Sequence, residues 1–337
     1  MSLRDAVRLV VRGAWRTAVV VAVLVAIAML ATARGHVPLP ANPDGVVAAT
    51  QIARAETLPG AELLVLGDSS AMTDVDVDVL GRERGSTSAE SLATLGFVGP
   101  AGYAALLERL TARHVRPHAL VLLVHRESLV FTEDVFARSP YERAALGGAA
   151  HTVPSVLRDT KTALAGALRS VVPLPLIGPW GVAYGSPGDL RRHIERHHGT
   201  MVDPTPRRSR AGAGVYEYRL SEAVARRLPR LADALAAAAP RCFALGLTPD
   251  PAGHATHDLP QRHAVLARVA ELLRVAPTAL LELPPALADD LFATSAHLNA
   301  EGRRVYTPLV AAALRAKPGC EPRTQRARRA PSDAGGA

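Results

Sequence analysis

The sequence predicts an α/β protein: a three-layer α/β/α sandwich around a mainly parallel sheet, preceded by one N-terminal transmembrane helix. Three observations point there. Short apolar runs at 62–66, 119–124, 241–247 and 279–283 are separated by stretches of helical periodicity, the pattern of buried parallel strands alternating with helices. The first run ends abruptly in Gly67-Asp68-Ser69-Ser70, a tight turn of small residues where a hydroxyl can stand clear of the backbone. An uncharged stretch rich in Val, Ala, Leu and Ile, Thr17 to Ala33, follows four arginines at helical spacing, Arg4, Arg8, Arg12 and Arg16.

Those last residues open the chain. At about 1.5 Å per residue the apolar stretch reaches roughly 25 Å, enough for a thin bilayer core. Arginines before it predict a cytoplasmic N-terminus, with everything after Arg34 beyond the cytoplasmic membrane, in the periplasm or outside the cell. Ala31-Thr32-Ala33 also fits a signal cleavage site, but the long arginine-bearing lead favours an uncleaved anchor over residues 1–35. Residues 36–60, with Pro38, Pro40, Pro43 and Pro59, read as a linker.

A domain is expected over 61–316. After the Gly-Asp-Ser turn, the alternation Thr73 to Val79 has the acidic spacing of a calcium loop but lacks its glycine and its late glutamate, so it reads as a solvated loop entering a short helix. Residues 91–110 read as a strand end, a glycine-rich loop with Gly96 and Gly99, and an amphipathic helix. The run 119–124 is a buried strand after Pro117, followed by His125-Arg126-Glu127-Ser128. Residues 130–230 exceed what one strand-to-strand crossing needs, and are expected to form a cap-like insertion or partner surface. Within it His193 and His197 have the i, i+4 spacing of a zinc pair, without a third ligand; a solvated basic helix end is the simpler reading. His254 and His257 fall in a Pro/Gly loop read as surface. Helices are expected over 221–238 and 259–275, then the strand 279–283, then Ser295-Ala296-His297-Leu298-Asn299-Ala300-Glu301-Gly302 before a last helix. Residues 317–337 read as a basic, disordered tail. Cys242 and Cys320 are read as free thiols rather than a disulfide, which an extracytoplasmic location would also permit.

With 337 residues and 48% hydrophobic content, the chain is long and apolar enough for a sizeable core. The net charge of +8 raises the question of nucleic acid, but aromatics make up only 4% and no basic stretch is interleaved with stacking residues, so no nucleic-acid partner is expected.

An early Gly67-Asp68-Ser69 after the first strand and a late His297-Leu298-Asn299 with Gly302 before the last helix together resemble the SGNH, or GDSL, hydrolase superfamily. The resemblance implies that Ser69 attacks an ester carbonyl and His297 serves as its general base. It also implies an oxyanion hole from the Ser69 N–H and a second-block glycine, Gly96 or Gly99, and no metal or cofactor. Two positions depart from the family. Thr294 stands where an aspartate normally orients the histidine, with Asp289 and Asp290 as nearby substitutes; Glu127 stands where an asparagine normally completes the oxyanion hole, and an ionised glutamate donates no hydrogen bond. Three functions follow as expectations. The first is a membrane-anchored acyl-ester enzyme that transfers O-acyl groups to, or removes them from, a cell-surface or exported polysaccharide, beside a membrane-bound acyltransferase partner. The second is a secreted esterase or lipase; the third is a non-catalytic anchored scaffold or binding protein.

Overall fold

A computed structural model describes residues 2–33, 38–86, 88–148, 157, 159–166, 175–206, 217–253 and 258–320. His254, His257 and the tail from 321 onward lie outside the described residues.

The chain is an α/β protein with a mainly parallel sheet. Strands β1 (Leu63–Gly67), β2 (Ala89–Ser91), β3 (Ala119–Val124) and β4 (Cys242–Leu247) form one parallel sheet in the order β2-β1-β3-β4. Leu63 pairs with Ala119, and Ala119 with Cys242, so the three long strands start level and end together. β1 and β3 are buried at every position, as continuous apolar runs covered on both faces must be. β5 (Asp250–Pro251) and β6 (Ala286–Leu287) form a separate two-stranded parallel ladder.

The expected strand at 279–283 is reduced to a single parallel bridge, Leu245 to Leu280, with the Leu281 N–H donating to the Leu245 carbonyl at 2.7 Å. Pro284 and Pro285 follow at once, and proline has no N–H to extend a ladder.

Helices α1 (Leu3–Ala33), α2 (Pro43–Thr57), α3 (Ser69–Asp74), α4 (Val77–Arg84), α5 (Gly99–Ala112), α6 (Pro187–Arg196), α7 (Leu228–Ala238), α8 (Leu259–Leu272) and α9 (Ala300–Arg315) account for most of the rest. α1 contains a segment, Val11–Ala31, with mean hydropathy 2.2 and almost no burial, long and apolar enough to cross a membrane.

α2 corrects the linker expectation for 36–60. Asn42 caps it by accepting the Gly45 N–H at 2.9 Å, and Pro43 sits in the first turn, where a missing N–H costs nothing. Its Val47, Ala48, Gln51 and Ala55 are buried, and it packs against α5 and α6, so this helix belongs to the core. The prolines mark a helix start here. α5 also packs against α7, while α9 packs against α3 and α4.

Described parts of the expected insertion at 130–230 pack on the rest of the fold. The helix Pro140–Leu146 packs on α5 and α6 packs on α2. The His193 and His197 rings of α6 lie 4.3 Å apart, and no third metal-binding group joins them among the described residues. Cys242 and Cys320 are joined by a disulfide, their Cα atoms 4.8 Å apart, which overturns the free-thiol reading and ties the start of β4 to the chain beyond α9.

Candidate active site

β1 stops where the sheet ends, and α3 begins two residues later. Gly67 has φ 146°, and a Cβ there would lie 1.8 Å from the Leu123 carbonyl oxygen, so only glycine lets β1 turn away this close to β3. Asp68 caps α3: its Oδ1 accepts the Ser70 and Ala71 N–H groups at 3.0 and 3.4 Å. Its Oδ2 accepts the His125 N–H and the Ser128 hydroxyl, both at 2.6 Å. This fully buried carboxylate therefore locks the turn after β1 to the turn after β3. Ser69, the first residue of α3, is left projecting its hydroxyl into a cavity of about 280 Å³.

His297 reaches the same cavity from the far end of the chain. Its Nε2 lies 2.9 Å from Ser69 Oγ, placed to accept that hydroxyl's proton. Its Nδ1–H donates to Asp203 Oδ2 at 2.5 Å. A serine, an imidazole and a carboxylate are thus joined in series. Burial alone would push the His297 pKa down, but the Asp203 bond and charge, backed by Asp74 and Asp68, hold it above its ordinary value. Asp203 shows the complementary effect: its own burial is outweighed by the bonds from His297 and Thr205, and its pKa falls.

α3 holds all three members in place. Ser70 Oγ donates to the Ala296 carbonyl at 2.8 Å, and Asp74 Oδ1 accepts the Leu298 N–H at 2.8 Å, so His297 is clasped on both sides by the helix that carries Ser69. The Met72 carbonyl accepts the Met201 N–H at 3.3 Å, two residues before Asp203. Arg303 of α9 donates to Thr200 Oγ1 at 2.8 Å, fixing the same segment from behind. Asp74 is fully buried, and its Oδ2 meets no donor among the described residues. Desolvation pushes its pKa up to about 7, against the opposing pull of His297 and of the Leu298 and Thr73 bonds.

Asp203 was not among the residues singled out from the sequence. It lies in the irregular stretch Met201-Val202-Asp203-Pro204-Thr205-Pro206, with no periodicity to place it. Its only sequence signal is a carboxylate directly before Pro204. Thr294 does not fill the orienting position: its hydroxyl oxygen accepts the main-chain N–H groups of His297 at 3.0 Å and Ala296 at 3.3 Å, shaping the loop rather than touching the ring. Asp289 accepts the Gly253 N–H, and Asp290 meets Asn299 through its carbonyl; neither bonds to His297.

The two glycines separate cleanly. Gly99 has its N–H on the Gly96 carbonyl and its Cα against the Phe136 ring, so it is not an oxyanion donor. Gly96 lines the cavity, and the N–H groups of Gly96 and Ser69 donate to no acceptor among the described residues. Glu127 also lines the cavity, but its N–H donates to His125 Nδ1 at 3.3 Å and its carboxylate accepts from Ser295 Oγ at 3.4 Å. It is therefore not an oxyanion donor either.

A second histidine–aspartate pair lies behind this wall. His125 Nε2 is 3.1 Å from Asp250 Oδ1, which also faces Arg126 Nε at 2.7 Å, while Asp250 Oδ2 accepts the Tyr218 hydroxyl at 2.9 Å. Burial works against charge on His125, but the Asp250 bond and charge more than offset it, and the pKa is raised.

Comparison with known protein families and with curated proteins found no match for this chain.

Proposed function

We propose that this chain is a membrane-anchored SGNH-type serine acyl-ester enzyme, its three-layer α/β/α domain outside the cytoplasmic membrane, acting in O-acyl transfer to, or removal from, a cell-surface or exported polysaccharide. The observation that carries the reading is the series Ser69 Oγ, His297 and Asp203, with contacts of 2.9 and 2.5 Å at the edge of a cavity. The Gly67-Asp68-Ser69 turn at the end of β1 and the His297 block just before α9 support the resemblance to the superfamily. Here the carboxylate comes from a separate segment instead of from three residues before the histidine.

The chemistry follows from the geometry. His297 Nε2 takes the Ser69 proton as Oγ attacks the acyl carbonyl carbon; negative charge gathers on the carbonyl oxygen, facing the Ser69 and Gly96 N–H groups. Asp203 stabilises the imidazolium and fixes the tautomer that keeps Nε2 free to accept. Collapse breaks the bond to the leaving alcohol, which receives the proton from Nε2. Water or an acceptor hydroxyl then resolves the acyl-serine by the same steps. The reading of a non-catalytic scaffold draws no support from this arrangement.

The arginines before Thr17 and the apolar segment of α1 support an anchored, N-terminus-in topology, and a disulfide between Cys242 and Cys320 suits an oxidising compartment. A membrane-bound acyltransferase partner would supply the acyl group. The test is covalent labelling of the detergent-solubilised full chain with a phosphonate ester. Labelling should fall on Ser69 and vanish in Ser69→Ala and His297→Ala. Labelling elsewhere, or none in a folded chain, would sink the proposal.

A further inference from the structure

We infer that the cavity at Ser69 selects acyl esters whose alcohol portion carries no negative charge, neutral or cationic sugars rather than uronates or phosphorylated glycans, with Glu127 as the main discriminating residue. The inference rests on the acyl-ester reading of the same site.

The charge lining the cavity runs against that of the protein. The chain carries 39 lysines and arginines against 31 acidic residues, a net charge of +8. Yet among the described residues neither lysine nor arginine lines the cavity, while Asp44 and Glu127 do. The Glu127 carboxylate accepts the Ser295 hydroxyl at 3.4 Å and forms no ion pair among the described residues. Asp44 sits in the first turn of α2, and its pKa is raised by burial, partly countered by His297. The cationic groups near the wall are spoken for. Arg126 lies against Asp250 behind the wall, and His125, which does line the cavity, turns its Nε2 to the same carboxylate. His297 faces Asp203 and Ser69.

The remaining surface suits uncharged or cationic rings. Phe97, Phe131 and Trp180 line the cavity, with Phe97 and Phe131 stacked at 5.3 Å between centroids. Aromatic faces of this kind take the C–H face of a sugar or a cationic group, and give nothing to a carboxylate. An anion entering such a space meets Glu127, while His125, whose charge Glu127 also favours, is buried and already matched by Asp250. One unit charge at roughly 6 Å and an effective dielectric of about 40 changes binding on the order of tenfold.

The experiment compares labelling rates of Ser69 by three phosphonate esters of one alcohol scaffold, bearing a hydroxyl, a trimethylammonium or a carboxylate group, at low ionic strength. The wild type should react with the first two at least about tenfold faster than with the carboxylate probe, and the gap should narrow with added salt. Glu127→Gln should narrow it, and Glu127→Lys should reverse it; Asp44→Asn should narrow it less. Because each variant is read as a ratio between probes, loss of folded protein does not mimic the result. A wild type that reacts with the carboxylate probe as fast as with the others would overturn the inference and leave the acyl-ester reading intact. A gap unchanged in Glu127→Gln would overturn the role given to Glu127. If no probe reacts at Ser69, the acyl-ester reading itself falls, and the inference with it.

Discussion

His297 and His125, which both line the cavity, are each paired with an aspartate, and the two pairs differ in what the second ring nitrogen meets. In the pair His297–Asp203, Nδ1 donates to the carboxylate and Nε2 faces the Ser69 hydroxyl, with side-chain exposures of 21% and 4%. In the pair His125–Asp250, Nε2 meets the carboxylate and Nδ1 accepts the Glu127 N–H, with exposures of 2% and 1%. Arg126 and Tyr218 join the second cluster through Asp250. A buried imidazole–carboxylate pair is thus a structural device wherever both ring nitrogens are used by the fold. Under the proposed function it becomes a proton-transfer device where one nitrogen is left for a nucleophile.

The largest difference is expected from removing each carboxylate in turn. Asp203→Asn should lower kcat/KM for an activated ester by about 10³-fold or more, since loss of the tautomer-fixing carboxylate in such a series costs on that order. It should also move the acid limb of the pH profile down, because the neutral base is then reached at lower pH. Asp250→Asn should leave the activity per folded molecule within a few-fold and its acid limb in place. Its effect should instead be on stability, a loss of about 3 kcal/mol in unfolding free energy read by denaturant titration, since breaking a buried ionic cluster strands its remaining members. Equal losses of activity from both variants would erase the distinction.

Asp74 sharpens the contrast, being a buried carboxylate whose charge acts on His297 without bonding to its ring. Its folded pKa of about 7 lies above the value of an unfolded aspartate, so the native state binds the extra proton. Stability from this group is fully present below about pH 4 and is lost as pH rises through 7. Asp74→Asn keeps the acceptor for the Leu298 N–H and removes the charge. Relative to wild type it should gain on the order of 1–3 kcal/mol between pH 5 and 8, with little difference at pH 4. A constant offset across that range, read by urea denaturation, would mean that Asp74 does not titrate there.

A smaller effect is expected at the oxyanion wall. A Cβ on Gly96 would lie 2.6 Å from Ser128 Oγ and 2.9 Å from a Phe131 ring carbon, and the Ser128 hydroxyl is held by Asp68. Gly96→Ala should therefore shift this N–H and lower kcat about tenfold, roughly 1.4 kcal/mol of transition-state stabilisation. An unchanged kcat would remove Gly96 from the oxyanion hole.

What was legible in the sequence divides along the same line. β1, β3 and β4 announced themselves because a strand buried on both faces is a continuous apolar run, and Ser69 and His297 lie at the borders of such regular elements. β2 is three residues long and carries no periodicity. α2 was hidden by its prolines, which signal a linker unless Asn42 is read as a cap and Pro43 as a first-turn residue. Asp203 was hidden for a deeper reason: it meets His297 across 94 residues of chain, from a segment whose position is set by the Met72 carbonyl and Arg303 rather than by local pattern. Nearness in sequence pointed to Thr294, Asp289 and Asp290 instead, but Thr294 and Asp289 accept main-chain N–H groups, and Asp290 meets Asn299 through its carbonyl.

The central claim is that His297, and not His125, stands between a carboxylate and a nucleophile. It is tested most directly by the imidazole N–H resonances of the folded protein. A strongly deshielded, slowly exchanging proton should be found on His297 Nδ1, lost in Asp203→Asn, kept in Asp250→Asn, and shifted when a phosphonate occupies Ser69. A His297 signal that survives Asp203→Asn, or that ignores modification of Ser69, would contradict the account.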